Sequence, residues 1–509
     1  MANLTEFIAF HATRTPARTA LIYQDREITY GDLQARAEAG AAWLERIGVR
    51  PGDVVALWMK NSAAFIDLVL AISHRGAVAL PLNYRLAVNE ITYILADAGA
   101  KVLIADDDFA DLAAPLEREA VQRLYVLDAA AQADIRAVAG AGRARVARRK
   151  PADLLRLVYT SGTTSRPKGV IHAYDQFYWK HLSFIAPLGL SEATRLLTVG
   201  PLYHVGGLEL PGLSVLALGG ALAIERMFDP ERALDAIRRH HLNGAWLAPT
   251  MTNMILALPS ARWSDGVGLD WVIGGGERTP EARILSFSEA FPDARYIDAY
   301  GLTESNSGDT FMEAGRELEK IGSVGRAVPH LDIEIRDDGG QKLAAGETGE
   351  ICLRGPKVTS GYGTDPQKTA DAFFPDDWLR TGDIGHLDGE GFLYLTDRKK
   401  DMILSGGENI ASSEVERALY EMPAVLEAAV IAAPHPKWGE APVAVISPRP
   451  GATVTLADIE THCVGVLGGF KTPKALILKS ELPRNPSGKV LKRVLRDEIA
   501  MEAGLWDEA

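Results

Sequence analysis

The chain has 509 residues, 47% of them hydrophobic, so it is too long for one core and has ample apolar material for two or more. Its formal net charge of −13 argues against a protein that wraps nucleic acid or an anionic membrane, while leaving room for a local basic pocket. Its two cysteines, Cys352 and Cys463, are too few for a disulfide framework or a cysteine-rich metal site, and are expected to be small buried residues in a reducing, cytoplasmic setting.

Met1-Ala-Asn-Leu-Thr-Glu6 carries no basic region leading into an apolar core, so no signal peptide is expected. Leu33, Ala37, Ala41, Leu44 and Ile47 lie at helical spacing behind Thr29 and Asp32, a capping pair. A strand is predicted over Val54–Trp58, a helix around Ala64–Ser73, and short strands at Ala77–Leu80 and Val102–Ala105. This alternation predicts α/β layering with parallel strands. The alanine- and arginine-rich stretch from Ala129 to Arg149 reads as a connector.

Tyr159-Thr-Ser-Gly-Thr-Thr-Ser-Arg-Pro-Lys-Gly-Val170 follows an apolar strand. Its glycines let backbone N–H groups approach an anion, Thr160, Ser161, Thr163 and Thr164 add hydroxyl donors, and Lys168 adds a positive charge, which suits nucleotide phosphates. It is not the usual phosphate loop, since Lys168 is followed by Gly169 and Val170 rather than Ser or Thr. A surface turn is the other reading of such a run taken alone.

Further on, the apolar run around Leu213–Ile224 is broken by Gly219-Gly220 and is too short to span a bilayer. Gly274-Gly-Gly-Glu277 ends the strand Trp271–Ile273, where a flat ring could lie on bare backbone. Tyr300-Gly-Leu-Thr-Glu304 places an aromatic ring to flank a purine near a carboxylate suited to Mg²⁺ on phosphates. Short strands at Ile333–Ile335, Gly349–Leu353 and Gly391–Leu395 predict a β-rich subdomain. Asp383 and Arg398 offer an acceptor pair and a cation suited to ribose hydroxyls. The charge run Asp397–Asp401 reads as a domain boundary or as a solvated turn. Pro483-Arg-Asn-Pro-Ser-Gly-Lys489 is a Pro/Gly/Ser loop ending in a lysine.

These runs, with Pro201-Leu-Tyr-His204, occur in the order seen in acyl-adenylate-forming enzymes, and the chain resembles an AMP-forming acyl-CoA synthetase over almost its whole length. Ser405-Gly-Gly-Glu-Asn-Ile410 resembles the carboxylate-CoA ligase branch, with aryl and medium-chain ligases the expected kin. The resemblance implies an α/β fold: a large N-terminal domain of layered sheets and helices with a β-rich subdomain (1–396), a hinge (397–401) centred on Lys400, and a small mobile α+β C-terminal domain (402–509).

The resemblance further implies ATP, Mg²⁺ and CoA as cofactors, a small-molecule carboxylic acid as partner, no nucleic acid, no integral membrane segment, and a homodimer as the assembly to test. Lys489, Thr303, Glu304 and His204 are the implied catalytic set, with Glu304 holding the metal. Thr160, Ser161, Gly162, Thr163, Thr164 and Lys168 would hold the β- and γ-phosphates. Gly276, Glu277, Arg278, Asp298, Tyr300 and Gly301 would hold the adenine side, Asp383 and Arg398 the ribose, and Ser405, Gly406 and Gly407 the pantetheine arm. Trp179, His204, Val205, Leu208, Trp246, Pro249, Thr250, Gly274, Gly275, Asn306 and Ser307 would border the acid.

Ser165-Arg166, Glu277-Arg278 and Ile410-Ala-Ser412 depart from commoner patterns without removing a charged catalytic group. Mostly apolar walls imply an apolar acyl group, and two tryptophans an aryl or medium-length acid. Two alternatives stay open: an enzyme that loads a carrier protein's phosphopantetheine, and a catalytically silent nucleotide-binding relative.

Overall fold

The computed structural model describes residues 3–128, 135, 145–160, 167–260, 268–275, 279, 281–363, 365–406, 408–484 and 490–499. The chain divides into two compact units, one of Met1–Asp332 with Leu353–Leu379, the other of Ile333–Cys352 with Arg380–Ala509.

In the first unit the strands are β1 (Thr19–Tyr23), β2 (Arg26–Thr29), β3 (Val54–Trp58), β4 (Val78–Pro81), β5 (Ala100–Asp106), β6 (Arg123–Leu127), β7 (Leu154–Thr160), β8 (Lys168–Ala173), β9 (Arg195–Thr198), β10 (Ala221–Ile224), β11 (Gly244–Leu247), β12 (Trp271–Gly274), β13 (Arg295–Tyr300), β14 (Thr310–Phe311) and β15 (Arg326–Ala327). Among the described residues they form two sheets, ordered β6-β5-β3-β4-β7-β8 and β15-β14-β13-β12-β11-β9-β10-β1-β2.

The early elements follow their local signals. Thr29 caps the helix Tyr30–Arg46 in a reciprocal capping box with Asp32, and Leu33, Ala37, Ala41 and Leu44 are buried on its inner face. Ser62 Oγ accepts from Phe65 N at the start of the helix Ala63–Arg75, and Gly76 ends it in the left-handed conformation (φ 71°). β3 pairs in parallel with both β4 and β5, as the alternating pattern predicts. One core lies around Trp58, Leu80, Leu103 and Leu157, and another around Leu197, Leu247, Val272, Phe287 and Tyr296.

The second unit holds β16 (Asp332–Arg336), β17 (Gly349–Arg354), β18 (Leu379–Leu387) and β19 (Leu393–Arg398) in one sheet, in that order. Next come β20 (Ile403–Ser405), β21 (Glu408–Ile410), β22 (Val425–His435), β23 (Gly439–Pro448) and β24 (Ala475–Leu478), ordered β21-β20-β23-β22, with β24 parallel to β23. Helices Ser412–Tyr420, Leu456–Val466 and Lys492–Ile499 complete an α+β arrangement.

β19 extends further than the sequence pattern suggests and takes in Asp397 and Arg398, the start of the charge run. Asp397 Oδ2 accepts from Ser412 N (2.6 Å) and Ser412 Oγ (2.5 Å), and Arg496 pairs with Asp401, so these charges tie strand to helix. Cys352 and Cys463 are both buried free thiols. Among the described residues no helix is long and apolar enough to cross a membrane.

Candidate active site

The hairpin of β7 and β8 sets Thr160 opposite Lys168 in register, at the two ends of the hydroxyl-rich loop. Lys168 Nζ donates to Tyr362 Oη at 2.6 Å, lies 3.8 Å from the centroid of that ring, and stands 3.5 Å from Glu304 Oε1. Tyr362 Oη in turn donates to Glu304 Oε1 at 3.0 Å. Burial and the Glu304 charge hold the Tyr362 phenol protonated well above its ordinary range. Thr160 Oγ1 is buried and, among the described residues, has no hydrogen-bond partner. A cation, a carboxylate, a phenol and an unused hydroxyl therefore converge here, a donor set suited to phosphate.

Glu304 is the carboxylate of this cluster and would be the group to meet a magnesium ion carried on phosphates. Among the described residues no group of three or more His, Cys, Asp or Glu forms a metal cage. That chemistry fits an ion held by one carboxylate with phosphate oxygens and water.

The remaining candidates of the first unit stand beyond the C-terminal ends of parallel strands, where ligands of open α/β sheets collect. His204 follows β9, Pro249 and Thr250 follow β11, Gly274 ends β12, and Tyr300 ends β13. β11 pairs with both β9 and β12, and β12 with β13, setting Gly274 beside Asp298. Asp298 is buried and accepts from Thr279 Oγ1 and Ala299 N. Gly301 has a backbone reason to be glycine, since a Cβ there would come 2.4 Å from Gly308 N. Trp246 is buried against Gly200 and Gly206, which puts it beside the short helix Val205–Glu209 that carries Leu208. Trp179 takes a different place: it is 37% exposed and packs edge-on against His330, 5.1 Å between centroids.

His204 Nδ1 accepts from Gly206 N at 3.1 Å as the cap of that short helix. Burial, aided by the Arg156 charge, pulls its pKa down to about 4, so it is neutral at pH 7 with its proton on Nε2. This suits a wall of the site rather than a proton acceptor for an acid that is already ionised.

Behind these residues lies a buried charge cluster that sequence reasoning missed. Glu209 is paired with both Arg156 and Lys180, and all three are buried. Arg156 Nε donates to His172 Nδ1 (2.8 Å), so His172 Nε2 carries the proton that meets Thr303 O (2.7 Å). Burial and the charges of Arg156 and Lys180 pull His172 well below the ordinary histidine range. A neutral imidazole thus ties strand β8 to the turn carrying Thr303 and Glu304. The overlooked signal was a charge inside an apolar run: Arg156 within Leu154–Tyr159, Glu209 within Val205–Leu213. Tyr362 had no local signal, because it meets Lys168 only in space.

In the second unit, Asp383 and Arg398 are cross-strand partners on β18 and β19, with Arg398 Nε 2.7 Å from Asp383 Oδ1. Ser405 ends β20, and Gly406 follows with φ 60°, its N–H donating to Trp438 O at 2.8 Å. Lys400 is exposed at the surface, yet desolvation by the surrounding chain pulls its ammonium down from the ordinary range. Arg484 and Val490 bridge in antiparallel fashion on either side of the lysine loop. Ser161, Gly162, Thr163, Thr164, Gly276, Glu277, Arg278, Gly407 and Lys489 lie outside the described residues.

Comparison with known proteins agrees over the whole chain. The AMP-binding enzyme family matches residues 8–363 and the AMP-binding enzyme C-terminal domain residues 414–489. A feruloyl-CoA synthase of Amycolatopsis sp. is 34% identical over 490 residues, covering 95% of this chain and 96% of that protein. An indoleacetate–CoA ligase of Aromatoleum aromaticum is 35% identical over 504 residues, covering 98% of each. The structure of o-succinylbenzoate coenzyme A synthetase from Bacillus subtilis in complex with ATP and magnesium ion superposes with a TM-score of 0.86 at 30% identity, covering 96% of this chain and 99% of that one. The chain belongs to the AMP-binding enzyme family, as an AMP-forming acyl-CoA synthetase, an acid–thiol ligase that works with ATP, magnesium and CoA.

Proposed function

We propose that the acid is an apolar aryl or medium-chain carboxylate, activated as its acyl-adenylate and then transferred to CoA. The observation that carries the nucleotide half is the Lys168–Tyr362–Glu304 cluster beside the unused Thr160 hydroxyl. The reading of the acid rests on the apolar and aromatic character of Val205, Leu208, Trp246 and Pro249 at and beyond the C-terminal ends of β9 and β11.

In the first half-reaction an oxygen of the substrate carboxylate attacks the α-phosphorus of ATP, the bond to the bridging oxygen breaks, and pyrophosphate leaves. Lys168, with Thr160 and the loop that follows, holds the β- and γ-phosphates, while Thr303 and Lys489 steady charge on the α-phosphate. Glu304 would hold the magnesium ion, whose chemistry there would be to neutralise phosphate charge. Tyr300 flanks the adenine, and Asp383 with Arg398 grips the ribose. In the second half-reaction the CoA sulfur adds to the acyl carbonyl, and AMP leaves with the oxygen the acid supplied. Residues 402–509 act as a C-terminal domain turning about Lys400, which withdraws Lys489 and brings Ser405 and Gly406 to the pantetheine arm.

The test is AMP release across benzoates, phenylpropenoates and fatty acids of graded length, with and without CoA. CoA-dependent turnover of an aryl or medium-chain acid supports the reading. Turnover confined to long fatty acids refutes the acid assignment, and pyrophosphate exchange without CoA turnover points to a carrier-protein acceptor.

A further inference from the structure

The turn after Glu304 holds an acceptor with nothing to accept from among the described residues. Asn306, Ser307 and Gly308 follow one another in the left-handed region (φ 61°, 71° and 59°), two of them side-chain-bearing residues that rarely adopt it. Such a turn persists only where its surroundings over-determine it. Here the segment that begins at Lys357 does so. The Lys357 ammonium, fully buried, donates to Ser307 O (2.7 Å) and Gly308 O (2.8 Å) and pairs with Asp309 Oδ1 (2.7 Å). Asp309 Oδ2 accepts from Leu302 N and Ser305 Oγ, and Thr359 N donates to Glu304 O at 2.7 Å. The turn is therefore tied on both sides to the residues that hold magnesium and phosphate.

Within it Asn306 is wholly buried, and its Nδ2 donates to Lys357 O at 2.9 Å. That bond assigns the amide, since flipping it would set oxygen against oxygen. Asn306 Oδ1 is then a buried acceptor that has no partner among the described residues. A lone buried acceptor is unfavourable until a donor arrives.

We propose that Asn306 Oδ1 selects acids that carry a hydrogen-bond donor, a hydroxyl or N–H, on the acyl body, and that Lys357 is the positioning residue that presents it. This rests on the ligase reading and narrows its substrate class. An acid with the donor satisfies the acceptor in the transition state, whereas its isostere without one leaves the acceptor buried and unpaired, a discrimination that shape alone cannot supply.

The test compares kcat and KM for matched acids, 4-hydroxycinnamate against cinnamate and indole-3-acetate against 1-naphthylacetate, in the native enzyme and in Asn306→Gly. Glycine tolerates the positive φ and removes only the acceptor. The native enzyme is expected to prefer the donor-bearing acid by about 10- to 100-fold in kcat/KM, and Asn306→Gly to bring the ratio within about threefold while KM for MgATP stays put. The double variant Lys357→Met with Asp309→Leu, which removes both buried charges together, is expected to lower the ratio as Asn306→Gly does. A native ratio below about threefold, turnover of fatty acids only, or a ratio that survives Asn306→Gly overturns the inference while leaving the ligase reading standing. CoA-independence with every acid overturns both. If Asn306→Gly does not fold, the native ratio alone decides by the same threshold.

Discussion

Replacing Glu209 by Gln keeps the shape of the buried cluster and removes its negative charge. Glu209 is paired with both Arg156 and Lys180, and the side chains of Glu209 and Lys180 are 1% and 0% exposed. Burial brings the Arg156 guanidinium down to about 9, so it stays charged at neutral pH. Breaking a buried pair in this way costs about 3–5 kcal/mol, whereas removing every charge of the set together is often neutral or stabilising. Glu209→Gln is therefore expected to lower the stability of the first unit by about 3–5 kcal/mol. The triple change Arg156→Leu, Lys180→Met and Glu209→Leu should recover most of that. Urea unfolding followed by tryptophan fluorescence weights this unit, because Trp43, Trp58, Trp179, Trp246, Trp263, Trp271 and Trp378 belong to it, against Trp438 and Trp506 in the other. Because Arg156 also orients His172 against Thr303 O, pyrophosphate exchange should fall in the triple variant even where stability returns. A loss below about 1 kcal/mol for Glu209→Gln, or a triple variant no more stable than the single one, would refute the argument that these charges are desolvated and mutually dependent.

Tyr362→Phe removes the hydroxyl between Lys168 and Glu304, and hydrogen bonds to charged groups contribute about 1.5–3 kcal/mol, so kcat/KM for MgATP in pyrophosphate exchange should fall about 10- to 100-fold; unchanged MgATP kinetics would dismiss Tyr362 from the phosphate site. His204 has its folded pKa lowered from 6.5 to about 4, so the unfolded chain takes up this proton first as pH falls, and the folded state loses up to about 3 kcal/mol between pH 6.5 and 4, with no loss from this group above that window. Stability against pH in His204→Asn should be correspondingly flatter than in the native enzyme, and parallel curves would contradict the assignment. Lys489→Ala should cut adenylate formation by about 10²–10³ while sparing thioester formation from supplied acyl-adenylate, and equal loss in both halves would reject its proposed role.

Much of this protein was legible along the chain because its signals are local. The Thr29–Asp32 capping box, the helix behind it, and the strands at Val54–Trp58 and Val102–Ala105 depend on spacing and side-chain chemistry within a few residues, and the structure has them. Asp383 and Arg398 could be paired from sequence because one hairpin joins them. The ordered motifs carried the family, since they keep their order along the chain. Trp179 shows the limit: its aromatic character was plain, but its contact with His330, 151 positions away, was not.

The sequence by itself determined the layered α/β architecture and the enzyme family, because those follow from local periodicity and from motifs in fixed order. Only the tertiary structure decided that Tyr362 joins Lys168 to Glu304, that Glu209 answers Arg156 and Lys180, and that Lys357 holds the turn in which Asn306 Oδ1 has no partner among the described residues. In each case the partners are distant in the chain, and a buried charge acquires its meaning only from the counter-charge that folding brings to it.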